Sequence, residues 1–484
     1  MLFRLAMFPS CNNRNPSLLR IAKSSVLHLT LQAFSNTAHV RDAGLRVVCV
    51  STDAARQKKG RCGMDSGNTA FMLVCTFLVF FMTPGLAFFY GGLSRRKNVL
   101  NTMIMSIATI GVVGVIWVAL GWSIAYGGTG ENPFIGGFDQ IFLSGSVDGV
   151  ISDALSSGEH GYPAIVDVGF QLMFAIITIA IITGSLAGRM KFGAVITFIS
   201  IWALLVYAPL AHMVWGGEHS FIGGMIGALD FAGGDVVHIS SGLTGLVVCC
   251  LLGKRHGYGL MSYRPHNIPF VVLGASLLWF GWFGFNAGSA FGANSDAALA
   301  TITTAVAPCA AMVSWMVVEK VKTGSCTLVG ACTGIVAGLV VITPGAGYVA
   351  PWAALVEGLI VSPICYFCIS TLKRKIGYDD ALDAFGCHGV GGIVGGILTG
   401  LFCVPELSPT GFGGLFYTGD PHLLLSQLAG EGVTIVFVFV MALVIGLVVK
   451  KIFGGLRVTE DEENSGLDVE LHGESAYPAF NGVD

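Results

Sequence analysis

The chain has 484 residues, 54% of them hydrophobic and only 11% charged, with 67 glycines and a formal net charge of −3. Soluble globular domains carry roughly 25% charged residues, so this balance excludes an ordinary soluble protein and fits a polytopic membrane protein, in which glycine lets helices approach closely. The small net charge and the lack of a basic patch point away from nucleic acid as a partner.

Residues 1–63 stand apart from the rest. They hold ten Lys/Arg against two acids, Asp42 and Asp53. A basic, serine-containing, acid-poor stretch can mark an organellar transit peptide; the plainer reading is that translation starts at Met64. The chain therefore divides into a basic N-terminal extension over 1–63 (disordered, cleaved or never made), a membrane domain over 64–453 and a polar, acidic tail over 454–484.

Eleven apolar spans follow, near 70–93, 98–126, 163–186, 192–215, 236–253, 268–292, 297–318, 326–343, 351–372, 384–404 and 428–449. Each is long enough to cross a bilayer as a helix. All sixteen remaining Lys/Arg, from Arg95 to Arg457, fall after the odd-numbered spans. The positive-inside rule then places those loops and the C-terminus in the cytoplasm and the N-terminus outside. Eleven spans divide as five, five and one, and a repeated block of five inverts its second copy. The fold expected is an all-α polytopic membrane protein with an inverted 5+5 repeat plus one C-terminal helix. Inverted repeats are a transporter architecture with the substrate path between the halves.

The run at 230–255, DFAGGDVVHISSGLTGLVVCCLLGKR, carries His238 inside the fifth span, and an ionisable residue there is a functional-site hypothesis. Residues 383–400, DAFGCHGVGGIVGGILTG, again set an aspartate before a histidine, His388, which leads the tenth span. A lone histidine in a helix is usually a satisfied core residue. Two at equivalent repeat positions read as a pore pair, holding at most one proton between them in apolar surroundings and able to relay it.

An aromatic set accompanies them. Trp215 ends the fourth span, Phe170 and Phe174 lie one turn apart in the third, and Trp282, Phe283, Phe285 and Ser289 come from the sixth. Trp215 fits an ordinary interfacial belt or, beside a hydroxyl, a small-cation site worth about 2 kcal/mol. Stripping an ammonium-sized ion of water costs on the order of 20 kcal/mol. Aromatics can collect such a cation but cannot carry it through dry protein, so a cation able to shed its proton is the natural substrate. Asp230 suits a carboxylate capping the fifth span, ahead of direct cation binding. Asp379, Asp380 and Asp383 read as helix-start and loop-packing residues, and Glu357 in the ninth span is unexplained. Cys365 and Cys368 read as packing residues rather than a metal or redox pair. With no nucleophile–base pair or metal set, neither an enzyme nor a cofactor is expected.

The 230–255 run, with PGLAFFYGGL at 84–93, AHMVWGG at 211–217, GWFGFNAGSA at 281–290 and CHGVGGIVGGILTG at 387–400, resembles the signature of the ammonium transporter/methylammonium permease/Rhesus family. The resemblance covers roughly 68–480. It implies a homotrimer in the lipid bilayer, most simply of the plasma membrane, moving ammonium/ammonia and less readily methylammonium. It assigns recruitment to Trp215, Phe174 and Ser289, a stacked gate to Phe174 and Phe285, and the twin histidines to His238 and His388. Trp215 and Ser289 point to the ammonium-transporter branch. GLDVELHGESAY at 466–477 resembles the family's regulatory tail, where a cytoplasmic regulator could act, although Glu470 stands where plant members carry a phosphorylatable threonine. An ammonium sensor, a passive NH3 channel and a conductive cation channel are the rival functions.

Overall fold

The computed structural model describes residues 64–144, 160–260 and 263–477. The extension assigned to 1–63 lies outside them, as do residues 478–484 of the tail. Among the described residues, eleven helices are long and apolar enough to cross a membrane. They are α1 (Ser66–Leu93), α2 (Arg96–Tyr126), α3 (Ile165–Leu186), α4 (Phe192–Trp215), α5 (Gly234–Leu252), α6 (Ile268–Gly288), α7 (Ser295–Thr323), α8 (Leu328–Gly345), α9 (Pro351–Ile376), α10 (Phe385–Phe402) and α11 (His422–Ile452). No strand forms among the described residues beyond two isolated bridges, Met190–Arg457 and Val349–Cys403.

The repeat is visible in the packing. Helix α1 lies on α2 and α3 as α6 lies on α7 and α8, α5 packs on α3 as α10 does on α8, and α1 runs against α6 along its length. Local geometry repeats as well. A π-helical turn interrupts α4 at Ala203–Tyr207 and α9 at Cys368–Leu372, and others open α5 (Gly234–Ile239) and α10 (Phe385–Gly389). Such turns are rare and gather at functional sites; both histidines sit on one. At the α5–α10 crossing a Cβ on Gly242 would collide with the backbone nitrogen of Gly389, so only glycine admits this approach.

The loops after α1, α3, α5 and α9 and the segment after α11 meet on one face, which carries the lysines and arginines. Arg255 holds Asp379 at 2.7 Å, Lys373 holds Asp383 at 2.6 Å, and the Lys191 ammonium donates to the Phe453 carbonyl. The tail is no loose appendage. Its helices α12 (Glu460–Ser465) and α13 (Leu467–His472) dock here: Glu463 takes Arg457 at 2.6 Å, and Asp468 accepts from the Asn101 N–H at 2.8 Å. Glu463, Leu467 and Asp468 are all buried by this docking.

Asp379 lies between α9 and α10, in the loop. Burial pushes its carboxyl up, but the paired Arg255 guanidinium outweighs this and holds it below the usual carboxylate range. A depressed native value stabilises the fold above the unfolded value, and the gain is lost as pH falls through the native one. Asp379→Asn should therefore lower thermal stability in detergent at neutral pH by roughly 3–5 kcal/mol, since it strands a mostly buried guanidinium. The gap between wild type and variant should close in acid. A constant gap down to the acid limit would mean that the pair's charge contributes nothing.

Candidate functional site

The loops free of Lys/Arg enclose a vestibule of about 480 Å³ on the opposite face. Trp215, Phe174, Ser289 and Asp230 line it, with Phe231 and Tyr348. The Trp215 indole donates to the Asp230 carbonyl at 2.9 Å and stands edge-on to Phe174, ring centroids 6.2 Å apart at 84°. Ser289 donates its hydroxyl proton to the Phe285 carbonyl at 3.0 Å.

Beneath the vestibule Phe174 and Phe285 stack at 4.1 Å and 16°, both essentially inaccessible. The next layer is His238, 6.2 Å from Phe285. His238 and His388 then meet Nδ1 to Nδ1 at 3.3 Å. In a pair of neutral imidazoles one Nδ1 must donate and the other accept, leaving complementary Nε2 roles at the two outer edges. The Nε2 of His238 has no protein partner. One column thus runs from an aromatic rim through a closed ring pair to two imidazoles.

Two aromatic residues grouped with the rim lie elsewhere. Trp282 is deeper, stacked on His238 at 5.3 Å and 24°, with its indole donating to the Thr343 hydroxyl at 2.9 Å. Its position one turn before Phe285 on α6 puts it on the same face at greater depth. Phe170 is wholly buried behind Phe174, at 4.8 Å, packed against Phe291 and the Gly288 backbone, and does not line the vestibule.

Asp230 organises the entry to α5. Its carboxylate accepts from the N–H groups of Gly233 (2.7 Å), Gly234 (2.6 Å), Asp235 (2.8 Å) and Val236 (3.3 Å). Gly233 at φ +118° makes the turn that aims these donors at one side chain. The counterpart in the second repeat is Asp380, not the Asp383 singled out in the sequence. Asp380 stands eight residues before His388, as Asp230 does before His238. It accepts from the Phe385 N–H at 2.8 Å and the Ser185 hydroxyl at 2.7 Å. Asp383 is engaged with Lys373 instead. Among the carboxyls that the sequence leaves unflagged, Asp235 and Glu431 are both 4% exposed and within the bundle. Glu431 is the only acid in α11, a signal as plain as His238 in α5. Glu357, by contrast, is completely buried in α9 with neither oxygen partnered.

An inverted five-helix repeat with a polar contact point at its centre defines a multi-pass membrane transporter fold. The family model described as "Ammonium Transporter Family" matches residues 70–477, and the chain belongs to that family. It is 50% identical to an ammonium transporter of Aquifex aeolicus over 86% of this chain and 94% of that one. Among solved structures it resembles Saccharomyces cerevisiae Mep2, with a TM-score of 0.77 at 33% identity, covering 87% of this chain and 94% of that one. It also resembles a protein titled "Sensor Amt Protein", with a TM-score of 0.75 at 26% identity, covering 84% and 98%.

Proposed function

We propose that the protein takes up ammonium: NH4+ is collected at Trp215, Phe174 and Ser289, loses its proton near the Phe174/Phe285 pair, and crosses as NH3 past His238 and His388. The observation that carries this reading is the Nδ1–Nδ1 contact of the two imidazoles, directly below a closed phenylalanine stack. A bare cation faces a dehydration cost on the order of 20 kcal/mol there, whereas neutral ammonia faces none of that size. The proton travels separately through the histidine pair and is returned on the far side. Net charge then moves, and the membrane potential contributes about 2.3 kcal/mol per 100 mV.

The vestibule faces outward and the lysine- and arginine-rich face the cytoplasm, by the positive-inside rule. Residues 64–453 form the membrane domain of one subunit of a homotrimer in the plasma membrane, and the tail is a docking point for a cytoplasmic regulator. Asp230 acts as support for the vestibule, and Phe170 and Trp282 back the gate and His238 respectively.

The test is an ammonium pulse applied to purified protein on supported bilayers. A transient current that scales with the ammonium gradient is expected. Full uptake without charge movement would replace this mechanism with a passive NH3 channel. A sensing role is the second reading, favoured by the similarity to a titled sensor and by the docked tail. Ammonium binding without flux of labelled methylammonium would decide for it.

A further inference from the structure

Helix α11 turns one face, Gln427, Glu431 and Thr434, toward the start of α5 and the glycines of α10. The Gln427 amide donates to the carbonyls of Leu229 (2.9 Å) and Gly396 (3.3 Å) and so fixes the register. One turn on, Glu431 Oε1 occupies the space a Cβ at Gly396 would need. Glu431 Oε1, Asp235 Oδ1 and Thr434 Oγ1 all lack hydrogen-bond partners, and Thr434 is wholly buried. The Thr434 hydroxyl lies beside the Asp235 carboxyl without closing a bond to it. The start of α5 packs against α11 here, which brings Asp235, just after Asp230, to the same helix interface as Glu431. Among the described residues no lysine, arginine or histidine lies within ion-pair distance of either carboxyl. Helix α10 offers glycine at this level, and His238 turns away to His388.

Asp230 has both oxygens committed to backbone donors, so it holds its charge in place. Two further bare carboxylates at this interface, inside a membrane, would meet both desolvation and mutual repulsion, and both effects disfavour the charged form. Something positive must join them. A hard metal cation takes six to eight oxygens, more than two carboxyls and one hydroxyl offer, and among the described residues no group of three or more His/Cys/Asp/Glu is arranged to hold a metal. A proton needs only one donor oxygen and one acceptor.

We propose that Asp235 and Glu431 form a proton-binding pair inside the membrane and beside the pore, holding at least one proton between them at neutral pH. Release of that proton in alkaline medium adds a negative charge next to Asp230, at the base of the vestibule, and tightens cation capture there. This second half rests on the transport reading; the first does not.

Infrared difference spectroscopy on the full chain tests the first half. Subtracting the Asp235→Asn/Glu431→Gln spectrum from wild type at neutral pH should leave a protonated-carboxyl C=O band, which fades on alkaline titration. Glu357 is common to both proteins and cancels. Asparagine and glutamine match the protonated acids in shape; should the double variant fail to assemble, Asp235→Asn and Glu431→Gln are subtracted separately, and the band must appear in at least one of the two differences. Absence of the band means that both groups are ionised, and overturns the proposal. Methylammonium uptake tests the second half. Apparent KM in wild type should fall about two- to tenfold as pH rises through the titration, and in Glu431→Gln it should stay flat. A wild-type KM indifferent to pH, with the band present, overturns the coupling. Absence of any uptake in wild type would instead defeat the transport reading and leave the band untouched.

Discussion

Replacing His238 or His388 with alanine should cut labelled methylammonium uptake roughly tenfold to a hundredfold, or open the path to potassium. Each ring gives the other its Nδ1 hydrogen bond, across 3.3 Å. Truncating one leaves its buried partner unsatisfied, at about 1–3 kcal/mol, and a tenfold change corresponds to about 1.4 kcal/mol. The cavity left behind also admits water, which lowers the barrier that excludes hydrated ions. Because the rings act as a unit, the double variant should be little worse than the worse single one. Flux and selectivity unchanged in both single variants would remove the imidazole relay.

Asp230→Ala should yield little assembled protein. Four backbone donors at the entry to α5 converge on that carboxylate, and hydrogen bonds to a charged acceptor are worth about 1.5–3 kcal/mol each. Their combined loss compares with the whole stability of an ordinary domain, about 5–15 kcal/mol. Asp230→Asn keeps one acceptor oxygen and the shape. It should fold with a lowered melting temperature and transport at least about tenfold more slowly, because the Trp215 indole is anchored on the backbone of the same residue. Detergent melting curves and uptake, measured together, separate the two effects. Asparagine at wild-type melting temperature and wild-type flux would show that the charge at this point is dispensable.

The bundle was legible because membrane burial writes itself into sequence as long uncharged runs, and because lysine and arginine mark alternate loops. The histidine pairing was legible from symmetry: two ionisable residues 150 positions apart, each leading a glycine-rich span. Symmetry also misled. The aspartate nearest His388 in the second run is Asp383, whereas the capping role falls to Asp380, and only the course of the chain entering α10 separates them. Depth along α6 was harder still. Trp282, Phe285 and Ser289 share a face, and spacing alone does not say which of them meets the vestibule and which meets His238. Glu431 needed no structure to be noticed, yet its significance depends on Asp235 across the helix interface, a pairing of distant segments that composition does not encode. The docking of the acidic tail rests on partners just as remote, Arg457 excepted.

The contact of Gly242 with Gly389 carries a consequence for how cargo moves. One glycine belongs to the first repeat and the other to the second, and their main chains touch where the halves would need to part. Related architectures ferry solutes by rocking one half against the other. A rocking motion would have to break that contact; on the mechanism proposed above, passage is instead expected through ring flips, with the two halves held together. Uptake by such a route is then expected to gain nothing from solute waiting on the far side.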